Sequence, residues 1–295
     1  MTARPFRGNC LITGHEQVAE GIMRLRFSAP EIADPATPGQ FVNVYLPGGE
    51  MLLPRPISIA DAQGGDVTLI YAIVGGGTKA LSVIGSGECL EVMGPLGTGF
   101  LDYTAKEKIY KNILLIGGGV GIPPLFFTAR RLRELYGQGV RIHAYLGFRE
   151  SPWYLPDFKE ICDEARCSSE TGEGADVHGN VIDLLCASAG AGTGAGEDAD
   201  ADAASDGAMA FACGPRPMLE AAREWCRQRG IPLRISLEAR MCCGYGACAA
   251  CTAKTRLLDD PEKPQKGPAF ADAEGIVRKK VCVHGPVFWA DEVIW

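Results

Sequence analysis

Residues 112–135, NILLIGGGVGIPPLFFTARRLREL, restrict the fold of this chain more than any other stretch. An unbroken apolar run meets a glycine turn and passes directly into an amphipathic helix. VRIHAYLGF (140–148), AMAFACG (208–214) and LRISLE (233–238) read as further buried strands, with helical segments before and between them. Strands that are apolar on both faces and alternate with helices predict a parallel, doubly wound sheet.

The first hundred residues follow a different grammar. QFVNVYL (40–46), VTLIYAIV (67–74) and CLEVMGPL (89–96) are rich in β-branched and aromatic residues and are separated by Gly and Pro. Short strands at that spacing predict an antiparallel barrel or sandwich. At 295 residues the chain has room for two or three domains. A net charge of −7 disfavours a nucleic-acid or anionic-membrane partner. No apolar run approaches the roughly 20 residues needed to span a bilayer, and nothing near the start reads as a secretory leader. A cytoplasmic location is expected.

Two segments interrupt this pattern. ASAGAGTGAGEDADADAASDGA (187–208) has too little apolar surface to offset its ordering entropy and is expected to be a flexible surface insertion. LLDDPEKPQKGPAFADAEG (257–275) is a second polar insertion, inside a cysteine-rich tail.

Four short motifs suggest ligands. GGGVGIPP (117–124) lies between strand and helix, where a pyrophosphate meets helix-terminal N–H groups. It departs from G-x-G-x-x-G because Ile122 fills the last position; read from Gly119 through Gly121 to Pro124 it is G-x-G-x-x-P. CGPRPML (213–219) follows a buried strand, at the carboxyl edge where open α/β sheets bind ligands. In LPRPISIA (53–60), Arg55 suits a phosphate and Ser58 supplies a further donor. YAIVGGGTKALS (71–82) joins an aromatic strand to a flexible Gly-Gly-Thr turn. Each alone reads equally well as a turn or a strand edge.

Of twelve cysteines, Cys10, Cys89, Cys162, Cys167, Cys186 and Cys226 stand singly and are expected to be small buried hydrophobes. RMCCGYGACAACT (240–252) concentrates four more, and without a secretory leader a disulfide framework is a poor reading. Cys243-x4-Cys248-x2-Cys251 with a distant Cys282 has the plant-type [2Fe–2S] spacing. Four thiolates suit iron–sulfur or zinc, although zinc sites usually pair two C-x2-C hairpins and only one occurs here.

The order R-P-I-S, G-x-G-x-x-P, C-G-P-x-x-M resembles the ferredoxin–NADP reductase superfamily. PGQFV, RPISIAD, GPLGTGF, GGGVGIPPL, CGPRPML, SLEARMCCGYGACAACT and VCVHGPVF together resemble, more closely, the electron-transfer subunits of type B dihydroorotate dehydrogenase. The resemblance implies a multi-domain β plus α/β chain: an FAD-binding barrel (1–105), a nicotinamide domain (106–236) and a C-terminal [2Fe–2S] module (237–295). It implies FAD contacts from Arg55, Pro56, Ile57, Ser58, Ile70, Tyr71, Ala72, Gly77 and Thr78. It assigns NAD(H) to Gly119, Gly121, Pro124, Cys213, Gly214, Pro215 and Met218. Cys243, Cys248, Cys251 and Cys282 become the cluster ligands, with Cys242 left over. No catalytic acid, base or nucleophile is implied, and His15, His143, His178 and His284 are isolated.

The resemblance further implies an FMN-containing catalytic partner, in a heterotetramer of two of each chain. Electrons would pass from it through [2Fe–2S] and FAD to NAD+. Glu170 and Glu173 fall near the expected adenosine ribose and favour NAD(H) over NADP(H). Two departures stand out: 30 residues separate Cys251 from Cys282, and Ala72 stands where relatives often carry Arg. A flavin–[2Fe–2S] subunit of ferredoxin:NADP or sulfide oxidoreductase type, and a zinc-binding non-enzymatic module, are the alternatives.

Overall fold

The computed structural model describes residues 5–48, 51–102, 110–190, 207–260, 263–268 and 270–295. Strands β1 (Phe6–Ala19), β2 (Ile22–Ser28), β3 (Phe41–Tyr45), β4 (Arg55–Gln63), β5 (Asp66–Ala72) and β6 (Cys89–Leu96) close into a barrel, ordered β1-β2-β5-β4-β3-β6. Every pairing in it is antiparallel. Along β2, Met23, Leu25 and Phe27 turn inward while Arg24 and Arg26 turn outward, the period of two that a barrel wall requires. Two short helices, α1 (Pro30–Ala33) and α2 (Gly76–Leu81), join barrel strands.

The chain then alternates: β7 (Asn112–Gly118), α3 (Ile122–Tyr136), β8 (Arg141–Phe148), α4 (Leu155–Ile161), β9 (Glu164–Ser169), β10 (Val177–His178), α5 (Val181–Gly190), β11 (Ala208–Cys213), α6 (Arg216–Gln228) and β12 (Leu233–Ser236). Ile113 and Leu115 of β7 pack with Leu125 and Leu132 of α3. The intervening Leu114 and Ile116 pack with Leu184 of α5 and Leu219 of α6. Helices thus cover both faces, and the sheet is doubly wound.

The tail adds β13 (Thr252–Thr255), β14 (Val277–Lys280), α7 (Val281–His284) and β15 (Val287–Trp289). The sheet order is β10-β9-β8-β7-β11-β12-β15. The parallel sheet expected from the sequence therefore carries an antiparallel edge strand, β15 on β12, contributed by the tail.

Other expectations need correction. The supposed flexible turn at Gly75–Thr78 opens α2, because the Thr78 hydroxyl accepts the N–H groups of Val74 and Gly75 at 3.0 and 3.2 Å. Cys10, Cys167 and Cys226 are buried, but Cys162 is half-buried, and Cys89 and Cys186 are exposed. Of the insertion 187–208, residues 187–190 complete α5 and 208 begins β11, while 191–206 lie outside the described residues. Within 257–275, positions 261, 262 and 269 also lie outside them. Among the described residues, no helix is long and apolar enough to cross a membrane.

Helix α3 locks the two halves together. From α3, the Phe127 side chain packs in the barrel core, and the Arg130 guanidinium holds the Asp61 carboxylate and the Ala62 carbonyl of β4. Phe127→Ala should cost about 3–5 kcal/mol, as deletion of a buried aromatic does. A guanidinium unfolding curve matching that of the parent would contradict this packing.

Candidate functional site

The barrel wall is split where the phosphate motif lies. Residues Arg55–Ser58 of β4 ladder with β3, through Val44↔Arg55 and Phe41↔Ser58. Residues Ile70–Ala72 of β5 ladder with β2. Between these two edges the β4–β5 pairing stops at Ile59↔Leu69. Backbone edges that face a gap in this way can receive a flat polar ring.

The Arg55 side chain crosses over Gly77, where an added Cβ would lie 2.6 Å from Nη1. One guanidinium nitrogen donates to the Leu53 carbonyl at 2.9 Å, while the buried Nε finds no partner among the described residues. An unused buried donor on an arginine is what a phosphate oxygen would satisfy. Pro56 and Ser58 are half-buried and Ile57 points into the barrel core. Ile70 faces the α3 side with Ala60 and Phe100. Tyr71 is turned into the barrel core, and its hydroxyl meets His15 Nε2 at 2.9 Å. His15 Nδ1 lies 2.6 Å from the Ile84 carbonyl, which can only accept, so the ring is held at both nitrogens. Burial pushes the Tyr71 phenol up, so it stays protonated.

The motifs at 117–124 and 213–219 meet at the carboxyl ends of β7 and β11, which pair through Gly117↔Cys213. Chain order reverses there: β7 leads through α3 to β8 on one side, and β11 lies on the other. A Cβ on Gly121 would sit 2.3 Å from the Cys213 carbonyl oxygen, and one on Gly214 would sit 2.6 Å from Met218 Cε. Glycine is therefore required at 121, where the clash is with backbone, whereas at 214 the Met218 side chain would have to move. Gly119 has a φ of 56° and is exposed, Pro124 is buried in the first turn of α3, and Pro215 is the N-cap of α6. Burial pushes the Cys213 thiol up to about 12, against a hydrogen bond from Ser236 on the paired strand. Arg149 and Glu150 follow β8, and Glu170 follows the adjacent β9, with Glu173 three residues further on.

The structure also gathers the tail cysteines. Cys243 Sγ accepts the Cys248 N–H at 3.4 Å. As a free thiol Cys243 comes down to about 6: burial opposes the shift, but N–H groups of Cys248, Tyr245 and Ala247 favour the thiolate. Cys251 and Cys282 are buried in one core with Phe41 and Leu96 of the barrel. Burial, then a hydrogen bond and the charge of Cys251, push Cys282 up to about 12. Gly244 and Gly246 have φ of 73° and 94°, and Ala249 has 59°, so the loop curls tightly.

No group of three or more His, Cys, Asp or Glu among the described residues forms a single-ion site. A two-iron centre divides its four thiolates between two metals, so they need not converge on one point.

Two residues at this site were not anticipated. Asn43 Nδ2 donates to the Cys243 carbonyl at 2.8 Å, and Lys280 Nζ donates to the Gly246 carbonyl at 2.5 Å. Neither carries a sequence signal: Asn43 occupies an ordinary outward-facing strand position, and Lys280 reads as a surface charge.

No family model matches the chain. It is 32% identical over 290 residues to the dihydroorotate dehydrogenase B (NAD(+)) electron transfer subunit of Fusobacterium nucleatum, spanning 97% of each chain. It is 34% identical over 287 residues to the protein of that name from Enterococcus faecalis, covering 96% of each. Among solved structures it resembles an NADH-dependent reduced ferredoxin–NADP oxidoreductase, with TM-score 0.74, 28% identity and coverage of 97% of this chain and 90% of that one. A ferredoxin NADP+ reductase from Neisseria gonorrhoeae with bound FAD and NADP shares the fold, at TM-score 0.60, 13% identity and coverage of 76% and 92%. With that identity to curated proteins along nearly its whole length, the chain belongs to the family of dihydroorotate dehydrogenase B electron transfer subunits.

Proposed function

We propose that this chain is the electron-transfer subunit of an NAD+-linked dihydroorotate dehydrogenase, working with a separate FMN-containing catalytic chain, two of each per assembly. One observation carries the reading: the cysteine loop docks on β3, the strand laddered to Arg55–Ser58, so a cluster site and a flavin site are neighbours. We assign residues 1–105 to FAD, 106–236 to NAD(H) and 237–295 to [2Fe–2S]. We place it in the cytoplasm, where cysteines stay reduced and open to metal binding.

FAD, when bound, supplies the exchange between the hydride pairs of nicotinamide and the single electrons of a two-iron centre. The chain's own residues bind and orient. Arg55 offers its spare Nε to the flavin phosphates, and Gly77 leaves room for the guanidinium to lie flat. The split between β4 and β5 presents backbone from Ile57, Ser58, Ile70, Tyr71 and Ala72 to the ring. Thr78 holds the adjoining helix start through its cap. Gly119, Gly121 and Pro124 open the pyrophosphate cleft, while Cys213, Gly214, Pro215 and Met218 shape the nicotinamide end. Cys243, Cys248, Cys251 and Cys282 supply four thiolates. We assign dihydroorotate chemistry to the partner, because the family resemblance implies no acid–base residue in this chain.

A second reading is favoured by the 28% identity to the reduced ferredoxin–NADP oxidoreductase: the same relay serving a different one-electron partner.

Cys248→Ser should lose iron and keep FAD, whereas Cys242→Ser should keep both. Equal loss of iron from the two variants, by metal and flavin analysis, would overturn the ligand assignment. In a dye-reduction assay the KM for NADH should lie below that for NADPH, since Glu170 and Glu173 repel a 2′-phosphate; the reverse order would refute this. The chain alone should pass electrons from NADH to a dye yet form no orotate. Adding a dihydroorotate dehydrogenase catalytic chain should restore NADH formation from dihydroorotate, and its failure to do so would favour the second reading.

A further inference from the structure

We propose that Asn43 is a positioning residue that holds the cysteine loop against the flavin strand, and that electron passage between the two sites depends on its carboxamide. The inference rests on the FAD and [2Fe–2S] reading above.

Along β3, Val42 and Val44 point into the barrel core, so Asn43 points out of the wall, where a barrel residue normally meets water. Asn43 is instead 0% exposed. The cysteine loop covers it, and the Cys243 carbonyl accepts a hydrogen bond from Nδ2 at 2.8 Å. Because a carbonyl can only accept, the amide nitrogen must face Cys243. At Gly244, which has a φ of 73°, an added Cβ would fall 2.4 Å from Nδ2 and 2.5 Å from Oδ1. Gly244 is thus glycine for two reasons, the turn it makes and the carboxamide pressed against it. In the ladder, Asn43 pairs with Pro56, between Arg55 and Ile57 of the flavin strand. One residue therefore touches the carbonyl of the first cluster cysteine and is paired to the middle of the phosphate motif.

The arrangement does not look chosen for stability. Asn43 Oδ1 is buried and has no partner among the described residues. An unsatisfied buried acceptor is costly, and an apolar side chain of the same shape would avoid that cost. What Asn contributes that Leu cannot is a directed bond to Cys243, which sets where the loop stands relative to β4. The neighbouring contact, Phe41 with Cys251 and Cys282 in one apolar core, holds the module on but has no directionality.

The test compares full-length parent, Asn43→Ala and Asn43→Leu, each with FAD. Iron and flavin content, the EPR spectrum of the reduced cluster, and stopped-flow traces after NADH addition are recorded. Flavin content and flavin bleaching should match the parent in both variants. The cluster's EPR spectrum should shift, and its reduction should slow on the order of tenfold, as small misplacements of reacting partners do. Asn43→Leu keeps the branched shape and removes the unpaired oxygen, so it should fold at least as well as the parent. Iron lost with FAD retained in both variants would also support the inference, because the loop would then depend on the carboxamide. Parent-like spectra and rates in both would overturn it, as would joint loss of iron and FAD, which would make Asn43 a support of the barrel. An iron-free parent would refute the cofactor reading itself, before any variant is compared.

Discussion

The arrangement depends on the tail's return to the groove between barrel and sheet. Three of the four cysteines lie in residues 243–251, and 30 residues separate the last of these from the fourth, Cys282. They can meet only if the end of the chain is pinned. The Thr98 N–H bonds the Gly285 carbonyl at 2.7 Å, its hydroxyl bonds the Val287 carbonyl at 3.3 Å, and the Leu237 N–H bonds the Pro286 carbonyl at 2.9 Å. Gly97 permits this approach, since a Cβ there would lie 2.6 Å from Pro286. The motifs GPLGTGF and VCVHGPVF are thus two sides of one contact. β15 then completes the grip by extending the sheet beside β12.

Inside the tail, a buried ion pair fixes the geometry further. Lys279 Nζ lies 2.6 Å from Glu292 Oε2, both almost fully buried, and Glu292 also accepts the Trp289 N–H at 3.1 Å. Such pairs gain little net stability over apolar packing, but removing one partner strands a charge. The pair joins β14 to the last turn of the chain. The next residue, Lys280, reaches back to Gly246 in the cysteine loop. Loop closure over 30 residues costs little more than over a shorter span, and these bonds offset it locally.

Much of this was legible in the sequence, for physical reasons that can be named. The segment 112–135 had to be strand, turn and helix, because its apolar run needed cover on both faces and the chain turns at Gly119, whose φ of 56° lies outside the strand region. The C-x4-C-x2-C spacing marked residues 243–251 as one loop, and the positive φ values of Gly244, Gly246 and Ala249 curl it. What stayed hidden depended on distant partners. Gly75–Thr78 reads as a flexible turn until the Thr78 hydroxyl is seen capping a helix. Val287–Trp289 is too short to announce itself as a strand, and only β12 makes it one. Asn43 sits in an alternating strand exactly where a solvent-facing residue belongs, and it becomes buried only when residues two hundred positions later fold over it.

On the proposed reading, one chain takes electrons in pairs at nicotinamide and handles them singly at a cluster. Anaerobic addition of NADH to the purified chain, followed together by visible absorbance and EPR, tests this most directly. Flavin absorbance should bleach and a reduced two-iron signal should appear in the same sample without any partner. A colourless protein, or a flavin that bleaches with no paramagnetic iron even after dithionite, would contradict it.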